Sequence, residues 1–212
     1  GLTKSEIMDQ RDYAEFSNKY GVDLRKTSVD WEDNGVVSTD NKFLRDINKS
    51  KMQCMELQEY YNTSNLNYAW EELLWAFRSL EDYKQTYSKF DFTDMLTQYV
   101  AFGPTPKLDV VIVDEAQDLT KLQWNMCEKI WANSERVYIS GDDDQAIFRW
   151  AGADIEHLIK MDGNVSVLKQ SYRCPVEVHK VADDIVTRIN QRRSKEWNPR
   201  DVEGEVRFHA YP

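Results

Sequence analysis

The sequence has few cysteines, and they are not spaced as a stabilising framework. Among 212 residues there are three, Cys54, Cys127 and Cys174, and no two of them form a CxxC pair. An odd number without that spacing argues against both a disulfide framework and a zinc knuckle. Such a chain suits a reducing compartment, and we therefore expect a cytoplasmic location.

The sequence also lacks an excess of basic residues. It contains 27 lysines and arginines against 37 aspartates and glutamates, which gives a formal net charge of -10 at pH 7. This balance argues against a histone-like or generally basic coat for nucleic acid. Any contact with a polyanion must therefore be local.

Long apolar runs are missing as well. No stretch approaches the roughly 20 apolar residues that a membrane-spanning helix requires. No charged and then apolar leader opens the chain. We therefore expect no membrane partner. A chain of 212 residues is nevertheless long enough to bury a core, as one domain or as two small ones.

The most informative stretch is LDVVIVDEAQD, residues 108–118. Its β-branched run predicts a strand buried on both faces of a parallel sheet, and acidic residues follow it at once. Ligands of open α/β sheets bind beyond the carboxyl ends of the strands. Asp114, Glu115 and Asp118 are therefore placed where a metal ion and a phosphate would be met. The alternative is a solvated turn whose carboxylates cap the next helix, and this stretch alone leaves both open.

Three further blocks accompany this stretch. FDFTDML occupies residues 90–96, ISGDDDQAIFRWAGAD residues 139–154 and LKQSYRCP residues 168–175. With DEAQD as a Walker B segment, the set resembles the UvrD/Rep-like branch of superfamily-one DNA helicases. The resemblance covers residues 90–212 well and the earlier residues only by position. It implies an α/β fold with a partial RecA-like (P-loop NTPase) parallel sheet and an α-helical inserted subdomain.

The resemblance also implies how the chain is divided. Residues 1–90 correspond to the helical inserted subdomain and residues 91–163 to the C-terminal half of the first RecA-like ATPase domain. Residues 164–212 correspond to the start of the second RecA-like domain. The pattern of strands and helices restarts after Gly163, which places this last boundary near Asn164.

Four residues take catalytic roles from this resemblance. It implies that Asp114 holds the Mg²⁺ that bridges the outer phosphates of ATP, and that Glu115 is the general base for the attacking water. It implies that Gln145 lies near the terminal phosphate, where an amide can donate to phosphate and accept from water. Arg173 is expected to reach the same phosphate from the second domain.

Two aromatic residues follow Gln145 closely. The resemblance implies that the rings of Phe148 and Trp150 stack on bases of single-stranded DNA, whereas the alternative is that both rings are interior. Many relatives carry arginine after the tryptophan, and this sequence has Ala151. A phosphate contact to DNA is therefore either missing or supplied elsewhere.

The remaining acids of these blocks have more ordinary interpretations. Asp118 either orients its neighbours or caps the helix expected from Thr120. Asp142, Asp143 and Asp144 could be mistaken for a metal cluster. For Asp142 and Asp143 we expect loop solvation and helix capping instead.

Apolar spacing and turn residues predict the other elements. The expected helices cover residues 5–20, 43–61, 65–87, 92–100, 120–131, 155–161 and 175–190. Besides the acidic strand, we expect strands over residues 137–139, 165–168 and 206–208, and a loop over residues 30–40. The aromatic stripe of the helix over 65–87, which includes Trp70 and Phe77, is expected to be core and not a base-stacking surface.

Together these features predict part of an ATP-dependent DNA helicase or translocase. ATP and Mg²⁺ are the expected cofactors, and single-stranded or partly duplex DNA is the expected partner. One alternative is a non-catalytic DNA- or protein-binding module that retains the fold. Another is a Mg²⁺-dependent phosphotransferase that uses Asp114, Glu115 and the acids of residues 142–144. It leaves the glutamine, tryptophan and arginine of the later blocks unexplained.

No GxxxxGK[ST] motif occurs in the chain, so the loop that cradles nucleotide phosphates is not among these residues. The family's closing blocks, with a second arginine, are absent too, and the chain resembles the middle of a helicase. We therefore predict that the chain of 212 residues alone has no substantial ATPase activity. Phosphate release from ATP, with and without single-stranded DNA, measures this, and robust DNA-stimulated hydrolysis would contradict it.

Overall fold

The computed structural model describes residues 3–24, 30–31, 37–38 and 41–209. Within them the chain is mixed α/β. The helices are α1 (Gln10–Tyr20), α2 (Lys42–Met52), α3 (Leu57–Thr63), α4 (Trp70–Tyr87), α5 (Phe92–Phe102), α6 (Lys121–Trp131), α7 (Ile155–Lys160) and α8 (Val176–Val186). The strands are β1 (Asp30–Trp31), β2 (Val37–Ser38), β3 (Val110–Val113), β4 (Arg136–Ile139), β5 (Gln170–Pro175) and β6 (Asn198–Arg200).

Each strand has one partner in the described ranges, so the sheets are two strands wide. β1 and β2 are antiparallel, whereas β3 pairs with β4 and β5 with β6 in parallel. The loop predicted over residues 30–40 is wrong where that range is described, because β1 and β2 lie there; its other residues are outside the described ranges. None of the described helices is long and apolar enough to cross a membrane.

The first half of the chain folds around an apolar core. Asp9 caps the start of helix α1, and its carboxylate accepts hydrogen bonds from the N–H groups of Arg11 and Asp12. Gly21 follows the last residue of the helix and has the left-handed φ of 67° that glycine adopts easily. Helices α1 and α2 both contact α4. The core residues with no exposed surface are Phe16, Leu24, Leu44, Ile47, Leu73, Ala76 and Leu80.

The stripe of large side chains on α4 belongs to this core. Leu73 and Leu80 are fully buried, and Trp70 and Phe77 are partly buried against the same cluster. The prediction that this stripe is core is therefore confirmed. The helix itself begins at Trp70 and is shorter at its start than the spacing predicted.

The helix predicted over residues 43–61 is wrong, because the structure has two helices there, α2 and α3. Cys54 has a left-handed φ of 52°. The N–H groups of Cys54 and Met55 donate to the carbonyls of Lys51 and Ser50, at 3.0 and 2.9 Å. This Schellman motif ends α2. Apolar spacing continues across the break, so periodicity alone does not reveal it.

A buried charge network joins the helical half to α5. The side chain of Lys84 is 5% exposed, and its Nζ lies 3.1 Å from Asp91, 2.7 Å from Asp94 and 2.8 Å from Glu81. Lys51 contacts Glu81 and Asp94 at 2.9 Å. Burial disfavours the charged form of Lys84, but the three carboxylates outweigh it and raise the pKa of Lys84. The carboxylate of Asp91 also caps α5.

The second half contains the strand, helix and strand predicted around the acidic stretch. β3 and β4 are in register, with Val110 opposite Arg136 and Val113 opposite Ile139, and α6 lies between them in the chain. Trp124 of α6 is fully buried. Its indole N–H donates to the carbonyl of Asp154 at 3.3 Å, which packs α6 against the segment that begins α7.

The prediction that β3 is buried on both faces is wrong. Ile112 is 73% exposed and Val110 is 45% exposed. The cause is the narrow sheet, because β3 has only β4 beside it in the described part of the chain. The full RecA-like sheet implied by the resemblance is therefore not seen in these residues, which show an α/β fold with small parallel sheets.

After Gly163 the strand predicted over residues 165–168 is also wrong. Leu168 is 92% exposed, and the strand forms later, as β5, where Gln170 pairs with Asn198 of β6. Residues 206–208 are likewise not a strand. A short apolar run becomes a strand only where a partner satisfies its backbone groups. Helix α8, which Pro175 precedes, is confirmed.

We predict that Lys84→Met lowers the free energy of unfolding by about 3 to 5 kcal/mol, because buried carboxylates lose their cation. Lys160→Met is the matched control. Its ion pair with Glu156 lies at the surface, with a lysine side chain that is 75% exposed, and we expect a change below about 0.5 kcal/mol. Chemical denaturation measures both variants, and two equally small changes would contradict a stabilising role for the network.

Candidate functional site

The carboxyl ends of β3 and β4 are held together by backbone hydrogen bonds. The N–H of Ser140 donates to the carbonyl of Val113 at 2.8 Å, and the N–H of Ala116 donates to the carbonyl of Ser140 at 2.9 Å. The residues that follow the two strands, Asp114 and Glu115 on one and Gly141 on the other, therefore meet at a single edge. This is the position at which parallel sheets bind ligands.

Asp114 is exposed at this edge, and its carboxylate is held in place. The hydroxyl of Ser140 donates to Oδ1, and the N–H of Glu115 donates to the same oxygen at 3.0 Å. Both bonds favour the charged form and lower the pKa of Asp114, with the Ser140 bond the stronger cause. An ionised, exposed carboxylate fits Mg²⁺, which usually takes one or two carboxylates and keeps several waters.

Glu115 adopts a backbone conformation that is uncommon for its residue type. Its φ of 52° lies in the left-handed region, and the residue is exposed. Such a conformation typically costs about 1 to 3 kcal/mol and persists only where the surroundings enforce it. Here the chain leaves β3 and enters a short 3₁₀ turn, Ala116–Asp118.

Gln117 connects the two strand ends. Its side chain is buried, with 2% of the residue exposed. The amide Nε2 donates to Oε2 of Glu115 at 2.7 Å, and Oε1 accepts from the N–H of Asp142 at 3.0 Å. Gly141 lies so close that an added Cβ would be 2.9 Å from that Oε1. The sequence patterns did not single out Gln117 or Ser140, although both lie inside the acidic blocks.

The structure decides between the two interpretations of Asp118. Helix α6 is capped by Thr120, whose hydroxyl accepts from the N–H of Gln123 at 3.3 Å. The carboxylate of Asp118 instead accepts from the amide of Gln117 at 3.4 Å. Asp118 therefore belongs to the surroundings of Gln117.

Gln145 follows β4 and ends a short 3₁₀ turn, Asp143–Gln145. The residue is exposed, and its Nε2 donates to the carboxylate of Asp142. Asp142 thus contacts Gln145 through its side chain and Gln117 through its backbone N–H. A chain of hydrogen bonds through Gln117 and Asp142 therefore connects Glu115 with Gln145.

Phe148 and Trp150 lie in the next turn, Ile147–Ala151. Trp150 is 56% exposed, which excludes an interior position for its ring, whereas Phe148 is half-buried. The two ring centroids are 6.4 Å apart. Ala151 is 2% exposed, so an arginine at this position would have to displace its neighbours.

Arg173 lies on β5 and is exposed. None of the hydrogen bonds or ion pairs of the described residues connects its side chain with Asp114, Glu115 or Gln145. The structure therefore brings together the first three predicted catalytic residues and not the fourth.

The interpretation of Asp142 and Asp143 as solvated loop residues is wrong for Asp143. Asp142 does cap the turn, because its carboxylate accepts from the N–H of Asp144 at 3.2 Å. Asp143, however, is only 9% exposed. All three aspartates lie within ion-pair distance of Lys195, a residue that the sequence analysis did not consider.

These ion pairs bear on the phosphotransferase alternative. A phosphotransferase of this kind would need a Mg²⁺ ion beside these three carboxylates. The ammonium group of Lys195 lies there. Within the described part of the chain, no group of three or more His, Cys, Asp or Glu side chains is arranged to hold a metal ion.

An open groove of about 650 Å³ lies elsewhere, between α6, β4 and α7. Its lining includes Trp131, Val137 and His157. None of the predicted site residues lines it, and its wide opening gives no enclosed binding volume. The strand edge, and not this groove, is the site supported by the chemistry of its residues.

Comparison with known proteins points to one family. Residues 3–166 match the UvrD/REP helicase N-terminal domain. The chain is 27% identical over 134 residues to the ATP-dependent DNA helicase PcrA of Bacillus subtilis (strain 168), covering 56% of this chain and 18% of that protein. It is 27% identical over 175 residues to the probable DNA helicase II homolog of Mycoplasma pneumoniae, covering 74% of this chain and 24% of that protein.

The PcrA helicase of Staphylococcus aureus (strain Mu50 / ATCC 700699) is similar over a shorter stretch. The identity is 27% over 110 residues, which cover 50% of this chain and 15% of that protein. In each comparison the matched part is therefore about a quarter or less of the relative's length.

Proposed function

The chain belongs to the UvrD/REP helicase N-terminal domain family, and from this premise we propose that it is part of an ATP-dependent DNA helicase or translocase. In this proposal ATP hydrolysis is coupled to movement along single-stranded or partly duplex DNA. The observation that carries the proposal is the strand edge, where Glu115 and Gln145 are connected through Gln117 and Asp142 and the carboxylate of Asp114 is held beside them by Ser140. The names of the relatives, which are ATP-dependent DNA helicases, support the same activity.

We assign the nucleotide chemistry to that edge. Asp114 holds Mg²⁺, which when bound neutralises charge on the outer phosphates of ATP. Glu115 accepts the proton of the attacking water, as a base within hydrogen-bonding reach of that water. Gln145 contacts the terminal phosphate through its amide and changes partner when the phosphate leaves.

We assign Arg173 to the second domain of the proposed division, with residues 1–90 as the helical inserted subdomain, 91–163 as the later half of the first RecA-like domain and 164–212 as the start of the second. The exposed guanidinium has the planar fork that suits a phosphate. Its arrival at the terminal phosphate requires the two domains to close. Hydrolysis would then depend on closure of the domains.

We assign the DNA contact to Trp150 and Phe148. The exposed ring of Trp150 and the half-buried ring of Phe148 beside it offer stacking surfaces for bases of any sequence. The turn that carries them begins two residues after Gln145, so a change at the phosphate can be transmitted to the bases over a short distance. This arrangement suits a motor that moves along a strand without reading it.

The first test of this proposal uses Glu115→Gln in a full-length protein that contains the chain. The amide keeps the shape of the side chain but cannot accept a proton, so ATP hydrolysis should fall by roughly two to four orders of magnitude. ATP binding, measured by equilibrium titration, should be retained. Hydrolysis near the parental rate would show that Glu115 is not the base.

The second test uses Trp150→Ala in the same protein. Loss of a stacked base should weaken binding of single-stranded DNA by about 1 to 3 kcal/mol for all sequences, with little change in melting temperature. The matched control is Trp124→Ala, which removes a ring with no exposed surface and should cost about 3 to 5 kcal/mol of stability. A large loss of stability in Trp150→Ala, with unchanged DNA affinity, would contradict the assignment.

A further inference from the structure

The acidic turn that carries Gln145 is contacted by a basic segment from a distant part of the sequence. We call Arg192, Arg193 and Lys195 the basic clamp. Arg192 binds Asp144 with two parallel hydrogen bonds, from Nε at 2.6 Å and from Nη2 at 2.8 Å. The Nζ of Lys195 lies 2.7 Å from Asp142 and 3.0 Å from Asp144, and it also donates to Asp143.

Arg193 fixes the clamp to a second element. Its backbone N–H donates to the carboxylate of Asp143 at 2.6 Å. Its guanidinium donates to the carbonyls of Ile159 at 2.6 Å and Met161 at 3.1 Å, and of Leu158 at 3.3 Å. These carbonyls lie at the end of α7, where a cation also meets the negative end of the helix. The clamp is therefore also bound to the end of α7.

Most of these charges are shielded from water. The side chains of Asp143 and Asp144 are each 8% exposed, and that of Lys195 is 16% exposed. Burial alone would raise the pKa of both acids. Hydrogen bonds from Lys195 and Gln145 nevertheless lower the pKa of Asp142, and hydrogen bonds from Arg192 and Lys195 lower the pKa of Asp144. Surface ion pairs contribute little, whereas loss of one partner from a shielded pair is costly. The position of the acidic turn therefore depends on the clamp.

The clamp reaches Gln145 through one residue. Asp142 accepts hydrogen bonds from both Lys195 and the amide of Gln145, on different carboxylate oxygens. A second contact joins the two segments, because the guanidinium of Arg149 donates to the side chain of Gln191. Movement of the segment that contains residues 191–195 would therefore move the carboxylate that orients Gln145.

We propose that Arg192 and Lys195 are positioning residues that hold Gln145 in its productive orientation through the three aspartates. The proposal rests on the proposed function, because it concerns the residue assigned to the terminal phosphate. It goes beyond that function because Arg192 and Lys195, which would control the orientation of Gln145, lie outside all of the motif blocks found in the sequence. The clamp lies in the part of the chain assigned to the second RecA-like domain, so it connects the proposed phosphate sensor with that domain.

The experiment measures DNA-stimulated ATP hydrolysis in a full-length protein that contains the chain. Arg192→Lys keeps the charge but cannot form the paired hydrogen bonds to Asp144. Lys195→Met keeps the length of the side chain without its charge. We expect kcat to fall on the order of tenfold to a hundredfold in both, because small displacements of a catalytic group have effects of that size. The KM for ATP should change by less than about twofold, as for a group that acts mainly in the transition state.

Two controls separate positioning from loss of structure. Lys180→Met removes a lysine of α8 whose ion pair with Glu177 lies at the surface, and it should leave kcat unchanged. In a double-mutant cycle, Arg192→Gln combined with Asp144→Asn should lower kcat by clearly less than the sum of the two separate effects, because both changes break the contact between Arg192 and Asp144. Asp144→Asn alone should have the larger effect, because it also weakens the contact with Lys195. Arg192→Lys is the milder variant and keeps the test informative if Lys195→Met fails to fold.

The outcomes are distinct. A fall in kcat with an unchanged KM, together with a non-additive cycle, supports the proposal. A lower melting temperature with unchanged kcat, or strictly additive effects in the cycle, overturns it and leaves a structural role. A parental protein without DNA-stimulated ATPase activity would overturn the proposed function and the positioning role with it, and this result is recognised before any variant is measured.

Discussion

The buried amide of Gln117 is the interaction on which the candidate site depends. One side of it donates to the carboxylate of Glu115, and the other accepts from the backbone of Asp142. Both groups of the amide are used, so the residues that follow β3 and β4 keep a fixed relation. Each buried amide group left without a hydrogen-bond partner would lower the stability of the fold by about 1 to 3 kcal/mol. The same contacts that satisfy Gln117 therefore bring Glu115, the proposed base, and the turn with Gln145, the proposed phosphate sensor, to one edge.

Much of the fold could be predicted because its signals are local. The β-branched run that forms β3, the cap at Asp91 and the glycine at the end of α1 are each specified by a few neighbouring residues. Asp114 and Glu115 were placed at a strand end on the same grounds, and the structure has them there. The strands expected at residues 165–168 and 206–208 fail because a strand also needs a partner, which a single segment does not reveal.

The contacts that organise the site could not be predicted, because they join residues far apart in the chain. Lys195 follows Asp143 by 52 positions and Ser140 follows Asp114 by 26. A charged run such as residues 192–195 looks in the sequence like a solvated surface. Only folding shows that its cations meet three carboxylates. The burial of Asp143, which the sequence analysis expected to be solvated, has the same cause.

We infer that Gln117 holds Glu115 and the turn with Gln145 in the arrangement that the proposed hydrolysis requires. The decisive measurement is the kcat of DNA-stimulated ATP hydrolysis for Gln117→Met in a full-length protein that contains the chain. Methionine has a similar length and no amide. We expect kcat to fall on the order of tenfold to a hundredfold, with ATP affinity retained. A folded variant that hydrolyses ATP at the parental rate would contradict it.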